Sequence, residues 1–438
     1  MEKPVSIDLE IKGGHILTLD EQFTEWNPGT VCISGNHIVY LGPDGEKPSG
    51  YHALTTLNAT GKVVMPTFFN GHTHAAMSMF RGLADDLTLH DWLNRYIWPA
   101  ERKNVKPETV FLGTMISAIE MIRSGTSSFA DMYFFEEEVA RASEECGIRA
   151  ILGSALFDFP APDSGSPDVS VKRTHSFYQK YRNHPLISIA VAAHAPYTCS
   201  PQVIRAAAEL SAGLNIPASI HLAEAASETE LIRERYGKSP TRYLFDLGFL
   251  SPRTVAHHGI HLSGEDIDLI ARSGTSICTI PNSNMKLGSG LCPVPRLISQ
   301  GINVAIGTDG AASNNNQSMV RDLQLLGRVQ KAYHEDPAII SAGQLLQMAT
   351  IGGARAYGRA DQLGSLATGK LADLMIINPD QPHWYPRYHP VSTIAYCMHS
   401  EDVESVIING RVVMDHRQLT RVDEEKYLWQ MKNLKLVF

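Results

Sequence analysis

The sequence predicts an α/β protein: a TIM-like (β/α)8 barrel carrying a small β-sandwich domain assembled from both termini. Three observations carry this expectation. Between residues 63 and 309, eight short apolar runs alternate with stretches of helical periodicity, the pattern of a parallel sheet covered by helices. Hairpin patterns are confined to the two ends of the chain. Side chains able to do chemistry recur where the apolar runs finish, and a barrel of this kind builds its site at those carboxyl ends.

The amino-terminal stretches "DLEIKGGHILTLD" and "GTVCISGNHIVYLG" alternate apolar with polar residues, with turns expected at Gly13-Gly14 and Gly35-Asn36. The far end repeats this idiom in "VESVIINGRVVMDH", around Asn409-Gly410. The expected division is therefore 1–62 and 365–438 for the two parts of the β domain, with the barrel at 63–364. Its strands are expected at 63–74, 126–132, 149–156, 187–194, 217–223, 254–259, 275–281 and 302–309. Helices are expected between them, for example over 107–125, which starts on Pro107 and closes on Gly125, and over 200–215. A doubly wound open sheet is the alternative. It usually brings G-x-G-x-x-G or a P-loop after its first strand, and neither occurs.

Bulk properties exclude several classes. A formal charge of −8 without a dense Lys/Arg stripe argues against a nucleic-acid partner. "MEKPVSIDLEIKGG" has no apolar leader core, and nothing later approaches a membrane span, so a soluble cytoplasmic protein is expected. Six scattered cysteines without a C-x-x-C pair suit free thiols in a reducing compartment. Homo-oligomerisation is left open.

The chemistry begins at "FFNGHTHAAM" (68–77). Residues i and i+2 of a strand share a face, so His72 and His74 project side by side. Among 18 histidines an H-x-H pair arises by chance, so this pair decides nothing alone. His194 ends the fourth run and His221 the fifth, with Glu224 three residues on in "SIHLAEA". His257 and His258 end the sixth; adjacent strand residues face opposite ways, so one of them is expected to point inward. Asp309 ends the eighth in "NVAIGTDGAAS". Each has a bland reading: His221 as a core histidine, Glu224 as a first-turn helix carboxylate, Asp309 as an Asp-Gly turn residue. Jointly, His72, His74, His221 and Asp309 form a His3Asp set for one divalent ion that leaves a coordination position for water.

"NGHTH", "HLAE", "AHHGIHL", "PNSNMKLGSG" and "GTDGAASNN" resemble the amidohydrolase superfamily, in its mononuclear deaminase and aminohydrolase branch, over nearly the whole chain. "RGLADDLTLHDWL", "IWPAE" and "AAHAPYTCS" resemble, within it, the methylthioadenosine/S-adenosylhomocysteine deaminases. The resemblance implies hydrolytic deamination of the adenine ring of a small nucleoside by one metal ion per chain, expected to be zinc. The fourth run ends in His194, not in a lysine able to bridge two metals. By the same resemblance Asp309 touches the metal and accepts the proton of the attacking water, while His258 orients that water. Glu224 protonates the ring nitrogen, and Glu101 and His194 meet the substrate, Glu101 at the ribose diol. Without the resemblance Glu101 reads equally as a helix-start carboxylate. Trp92 and Trp98 are candidate walls for the base, and Asn284 and Lys286 weak contact candidates.

The alternative is another heteroaromatic aminohydrolase or chlorohydrolase of guanine, pterin or triazine type, with the same metal and different loops. A nucleic-acid deaminase would carry H-x-E with P-C-x-x-C, which is absent. One departure stands out. Some relatives carry arginines after the third strand that can clasp a substrate carboxylate; here Ser154 occupies that place, followed by Asp158, Asp163 and Asp168 before any basic residue.

Overall fold

The computed structural model describes residues 5–438. Eight parallel strands form the barrel: β1 (Phe68–Thr73), β2 (Thr126–Tyr133), β3 (Arg149–Leu156), β4 in two pieces (Ile187–Ile189 and Val191–Ala193), β5 (Ala218–Leu222), β6 (Thr254–His258), β7 (Ser276–Thr279) and β8 (Val304–Ile306). Each pairs with its sequence neighbour, as right-handed βαβ connections dictate. Residues next to the site close the ring. The backbone N–H groups of Thr308 and Asp309 both donate to the His72 carbonyl, at 3.1 and 3.0 Å. The Asn70 side chain donates to Thr308 Oγ1 at 2.7 Å and accepts the Thr308 N–H at 3.0 Å. Glycine is required at 307, because a Cβ there would stand 2.8 Å from the His72 nitrogen.

The expected strand at 63–74 is in fact two. Val63–Pro66 pairs with Leu374–Ile377 in a second sheet, and only Phe68–Thr73 enters the barrel. Both halves are buried apolar sequence, which does not say which sheet it joins; Pro66, lacking an N–H, suits the crossing point.

The second sheet draws on both ends of the chain. Its order runs Gln418–Leu419, Arg411–Asp415, Val403–Ile408, Leu374–Ile377, Val63–Pro66, Val5–Leu17, Glu25–Ser34, His37–Pro43, with Tyr51–Asn58 also on Val5–Leu17. Ile11, Val31, Val64, Leu374 and Ile407 share its core. The turns at Gly35-Asn36 and Asn409-Gly410 form as expected, and they meet: Asn36 donates to Asn409 Oδ1 at 3.1 Å. Gly13-Gly14 does not turn. Val5–Leu17 runs straight through it with register shifts on either side, because a single left-handed residue (Gly13, φ +78) makes a bulge rather than a hairpin loop.

Arg149, at the start of β3, ties the two units together. It grips Asp373 at 2.7 and 3.0 Å and Asn409 Oδ1 at 2.8 Å, all buried from solvent or nearly so. The helices at Pro107–Arg123 and Pro201–Leu214 match their expected limits; Ser200 caps the second and Asn215 closes it in the left-handed region.

Candidate active site

The carboxyl ends of the strands open into one cavity. It is lined by His74, His194, His221, Glu224, His258 and Asp309 at its base and by Trp92, Trp98, Phe134, Phe157 and Glu101 along its walls. The segment before the second wall contains a π-helical turn, Trp92–Ile97, a geometry frequent at functional sites.

At the base, His72 and His74 stand edge to face with ring centroids 4.7 Å apart. Asp309 Oδ1 lies 3.5 Å from His72 Nε2 and 3.2 Å from His74 Nε2, and His221 Nε2 lies 3.4 Å from His74 Nε2. On His74 and His221 the other ring nitrogen is occupied by a partner that orients the ring. His74 Nδ1 donates to the Met132 carbonyl and His221 Nδ1 to the His194 carbonyl, both at 2.6 Å. This leaves each Nε2 aimed at the common centre, the arrangement that metal-ligating histidines need. Asp309 Oδ2 accepts the hydroxyls of Ser283 and Ser313, at 2.7 and 2.8 Å.

Charge follows burial and neighbours. Burial pushes His72 down to about 3 and His221 well below the usual imidazole range, so both present neutral rings. Burial also lowers His194 to about 3. On His74 burial is outweighed by Asp309 beside it and by Asp131, which raise it to about 9. Asp309 itself would be raised by burial, but the His72 and His74 contacts hold it well below the usual carboxylate range. His72 Nε2 is sealed from solvent without a hydrogen-bond partner. A buried lone pair without a donor, next to an imidazole–carboxylate pair whose proton a cation would displace, fits a divalent ion. His72, His74 and Asp309 offer ligand atoms within 4.8 Å of one another, and so do His72, His221 and His258.

The expectation that one of His257 and His258 points inward is too simple. His257 pairs in register with His221 and faces the barrel interior, stacking on His72 at 3.8 Å. His258 adopts φ +70, which takes its ring out of strand alternation and over the mouth, and it is this ring that lines the cavity. Its Nδ1 donates to Asn284 Oδ1 at 2.8 Å, leaving Nε2 unprotonated and 3.5 Å from Glu224 Oε2.

Glu224 is buried, and burial followed by the Asp309 charge pushes its carboxyl up to about 8. It precedes the helix Ala226–Tyr236, so it is not a first-turn residue; Glu228 is, and Glu228 takes the Ala223 and Glu224 N–H groups. On the wall, Glu101 is buried in the helix Trp98–Asn104 and accepts the Tyr133 hydroxyl at 2.7 Å; burial raises its carboxyl to about 7. His194 stacks on Phe157 at 4.5 Å, and its Nδ1 meets the Thr198 hydroxyl at 2.8 Å. Neither weak candidate touches the cavity. Asn284 acts on His258, and Lys286 pairs with Asp85 at 2.5 Å. Tyr133, Ser283, Ser313 and Glu228 escaped the sequence reading, since their partners lie elsewhere in the chain or on the backbone.

Two buried carboxyls share one cavity, and one of them, Glu224, stands beside the histidine–aspartate cluster and is raised by burial and by Asp309, an arrangement that suits a hydrolase. The amidohydrolase family matches residues 63–413, and the chain belongs to that metal-dependent family. The 5-methylthioadenosine/S-adenosylhomocysteine deaminase of Syntrophobacter fumaroxidans is 41% identical over 425 residues, 97% of each chain. The solved adenosine deaminase of Xanthomonas campestris, with bound zinc, is 33% identical, covers 98% of each chain and superposes with a TM-score of 0.96. Atrazine chlorohydrolase of Arthrobacter aurescens has the same fold at 23% identity, with a TM-score of 0.90 over 97% of this chain and 99% of that one. No helix among the described residues is long and apolar enough to cross a membrane.

Proposed function

We propose that this chain is a hydrolytic deaminase of 5′-substituted adenosines, converting the adenine ring to the inosine analogue with release of ammonia. One observation carries the reading. A single cavity joins a His3Asp cluster and a protonated buried acid at its base to a second buried carboxyl, Glu101, on an aromatic wall. A base alone needs the first end; a nucleoside needs both.

His72, His74, His221 and Asp309 would hold one divalent ion, in our reading zinc. When bound, such an ion polarises water and makes it acidic enough to react near neutral pH. Asp309, ionised and steadied by Ser283 and Ser313, accepts the proton of the attacking water and later passes it to the leaving amine. His258 offers an unprotonated Nε2, because Asn284 holds its other nitrogen as the donor, and so orients that water. Glu224 donates its proton to N1 of the ring as C6 becomes tetrahedral. Loss of ammonia, with the hydroxyl proton on C6 passing to the Glu224 carboxylate, then restores the aromatic system as the keto product and regenerates the acid. Glu101 accepts the two ribose hydroxyls, whose donation favours its ionised form, and His194 packs at the substrate's edge. The catalytic unit is the barrel, which begins at Phe68 after Val63–Pro66 has joined the second sheet, and the substrate is a free small nucleoside in the cytoplasm.

The test is a substrate panel on purified protein (adenosine, methylthioadenosine, guanine, a pterin and a chlorotriazine), with ammonia release and metal content measured on the same preparation. Turnover of the adenosines with ammonia supports the reading. Turnover of the free heterocycles alone overturns it in favour of another aminohydrolase or a chlorohydrolase.

A further inference from the structure

The connection from β5 to its helix holds an arrangement that the mechanism above does not use. Glu228 is 4% exposed, and no Lys or Arg pairs with it among the described residues. Its two carboxyl oxygens take separate backbone donors: Oε1 accepts the Ala223 N–H at 3.0 Å, and Oε2 accepts the Glu224 N–H at 3.1 Å. Burial pushes the Glu228 carboxyl up to about 7, and the two backbone donors oppose that rise by favouring the ionised form.

The segment it holds is strained. Ala223 sits at φ +52, a left-handed conformation that a residue with a Cβ adopts only when its surroundings impose it. The Ala223 carbonyl is pinned from the other side by the N–H groups of Ile260 and His261, at 3.0 and 2.9 Å, just past His258. The turn that aims Glu224 is thus gripped between Glu228 and the end of β6. Without Glu228, the Ala223 and Glu224 N–H groups would lose their partners, and the turn would be held only through its carbonyl side.

We infer that Glu228 is a positioning residue for deamination, its two carboxyl oxygens fixing the Ala223–Glu224 turn so that the Glu224 carboxyl meets the ring nitrogen. The inference rests on the role given to Glu224 above. It makes no contact with substrate necessary for Glu228, which is absent from the cavity lining.

The test is a double-mutant cycle on the metal-loaded enzyme, with kcat, KM, metal content and thermal stability measured for each variant. Glu228→Gln keeps one acceptor and turns an amide N–H2 toward the other donor. It should lower kcat by roughly 10- to 100-fold, the scale of an ångström-sized misplacement of a catalytic group, with KM and metal content held within about twofold. In a Glu224→Gln background the same change should cost almost nothing further, because a residue acting only through Glu224 has nothing left to position. Glu228→Asp, which keeps both acceptors on a shorter stem, should recover part of the lost kcat. If Glu228→Gln folds poorly, the cycle is run with Glu228→Asp alone. Equal losses in both backgrounds, or losses that follow metal content or stability, overturn the inference and leave Glu228 structural. Full activity of Glu228→Gln with an inactive Glu224→Gln overturns it while sparing the role of Glu224. An active Glu224→Gln overturns both.

Discussion

Tyr133, the last residue of β2, donates its hydroxyl to Glu101, which stands on a helix of a separate connection. Both side chains are buried on the cavity wall. The hydroxyl takes one lone pair of one oxygen and fixes the carboxyl plane, leaving the remaining acceptor positions for a pair of hydroxyls. Glu101→Ala should therefore raise KM for nucleosides by roughly 10- to 100-fold, the value of hydrogen bonds to a charged group. The effect on a free base should be small. Tyr133→Phe should act in the same direction more weakly. Steady-state kinetics on adenosine and on a free heterocycle decide; equal losses on both would make Glu101 structural.

Metal content is the second test. Purified protein should carry about one divalent ion per chain if His72, His74, His221 and Asp309, whose ligand atoms cluster at one point, form the single site proposed above. Elemental analysis showing two tightly bound ions per active chain would refute the mononuclear reading. His72→Ala and His221→Ala should lose metal and activity together, whereas Asn284→Ala should keep the metal and lose turnover, since it frees only the His258 tautomer.

The pH dependence of turnover follows from Glu224. Its folded-state carboxyl is raised to about 8, by burial first and by the Asp309 charge second, so it is protonated below that pH and lost above it. An acid that must donate makes kcat fall as pH rises through about 8; a bound dication, which favours the carboxylate, moves this limb lower. Glu224→Gln should abolish the limb and reduce kcat by ~100-fold or more while metal is retained. A pH profile unchanged in Glu224→Gln would assign the ring proton to another group.

The fourth prediction concerns the 5′ substituent. No Lys or Arg lines the cavity, whose charged groups include Glu101, Glu224 and Asp309. Ser154 is buried, Lys172 points into solvent, and Arg173 is engaged by Glu137 and by Asp163 at 2.7 Å. Phe157 faces the cavity and packs on Phe159 at 4.9 Å, which suits an apolar group. Methylthioadenosine should exceed S-adenosylhomocysteine in kcat/KM, measured for both at one pH and salt concentration. A clear preference for S-adenosylhomocysteine would mean that a cation reaches the site from outside the described cavity.

Much of this site was legible because strand ends in a parallel barrel converge by geometry alone. His72, His74, His221 and Asp309 each follow an apolar run, and the alternation of runs with helices is enough to place them at one mouth. The paired carboxyls of Glu101 and Glu224 were read through the superfamily resemblance, and the structure brings both to the cavity. The division of the run at 63–74 between two sheets was not legible, since continuous burial looks the same in either, and Gly13-Gly14 reads as a turn until its bulge is seen.

What the sequence determines by itself is the set of residue types and their order along the strands, because periodicity and side-chain chemistry are local properties. The tertiary structure decides which lone pairs remain free. It turns His258 over the mouth through a left-handed backbone, fixes its tautomer through Asn284, and steadies Asp309 with two serines from different connections. It also sets the protonation of Glu224, which depends on burial and on Asp309, a residue far away in the chain. Hydrogen-bond partnership and desolvation are properties of three-dimensional neighbours, and no spacing in the chain encodes them.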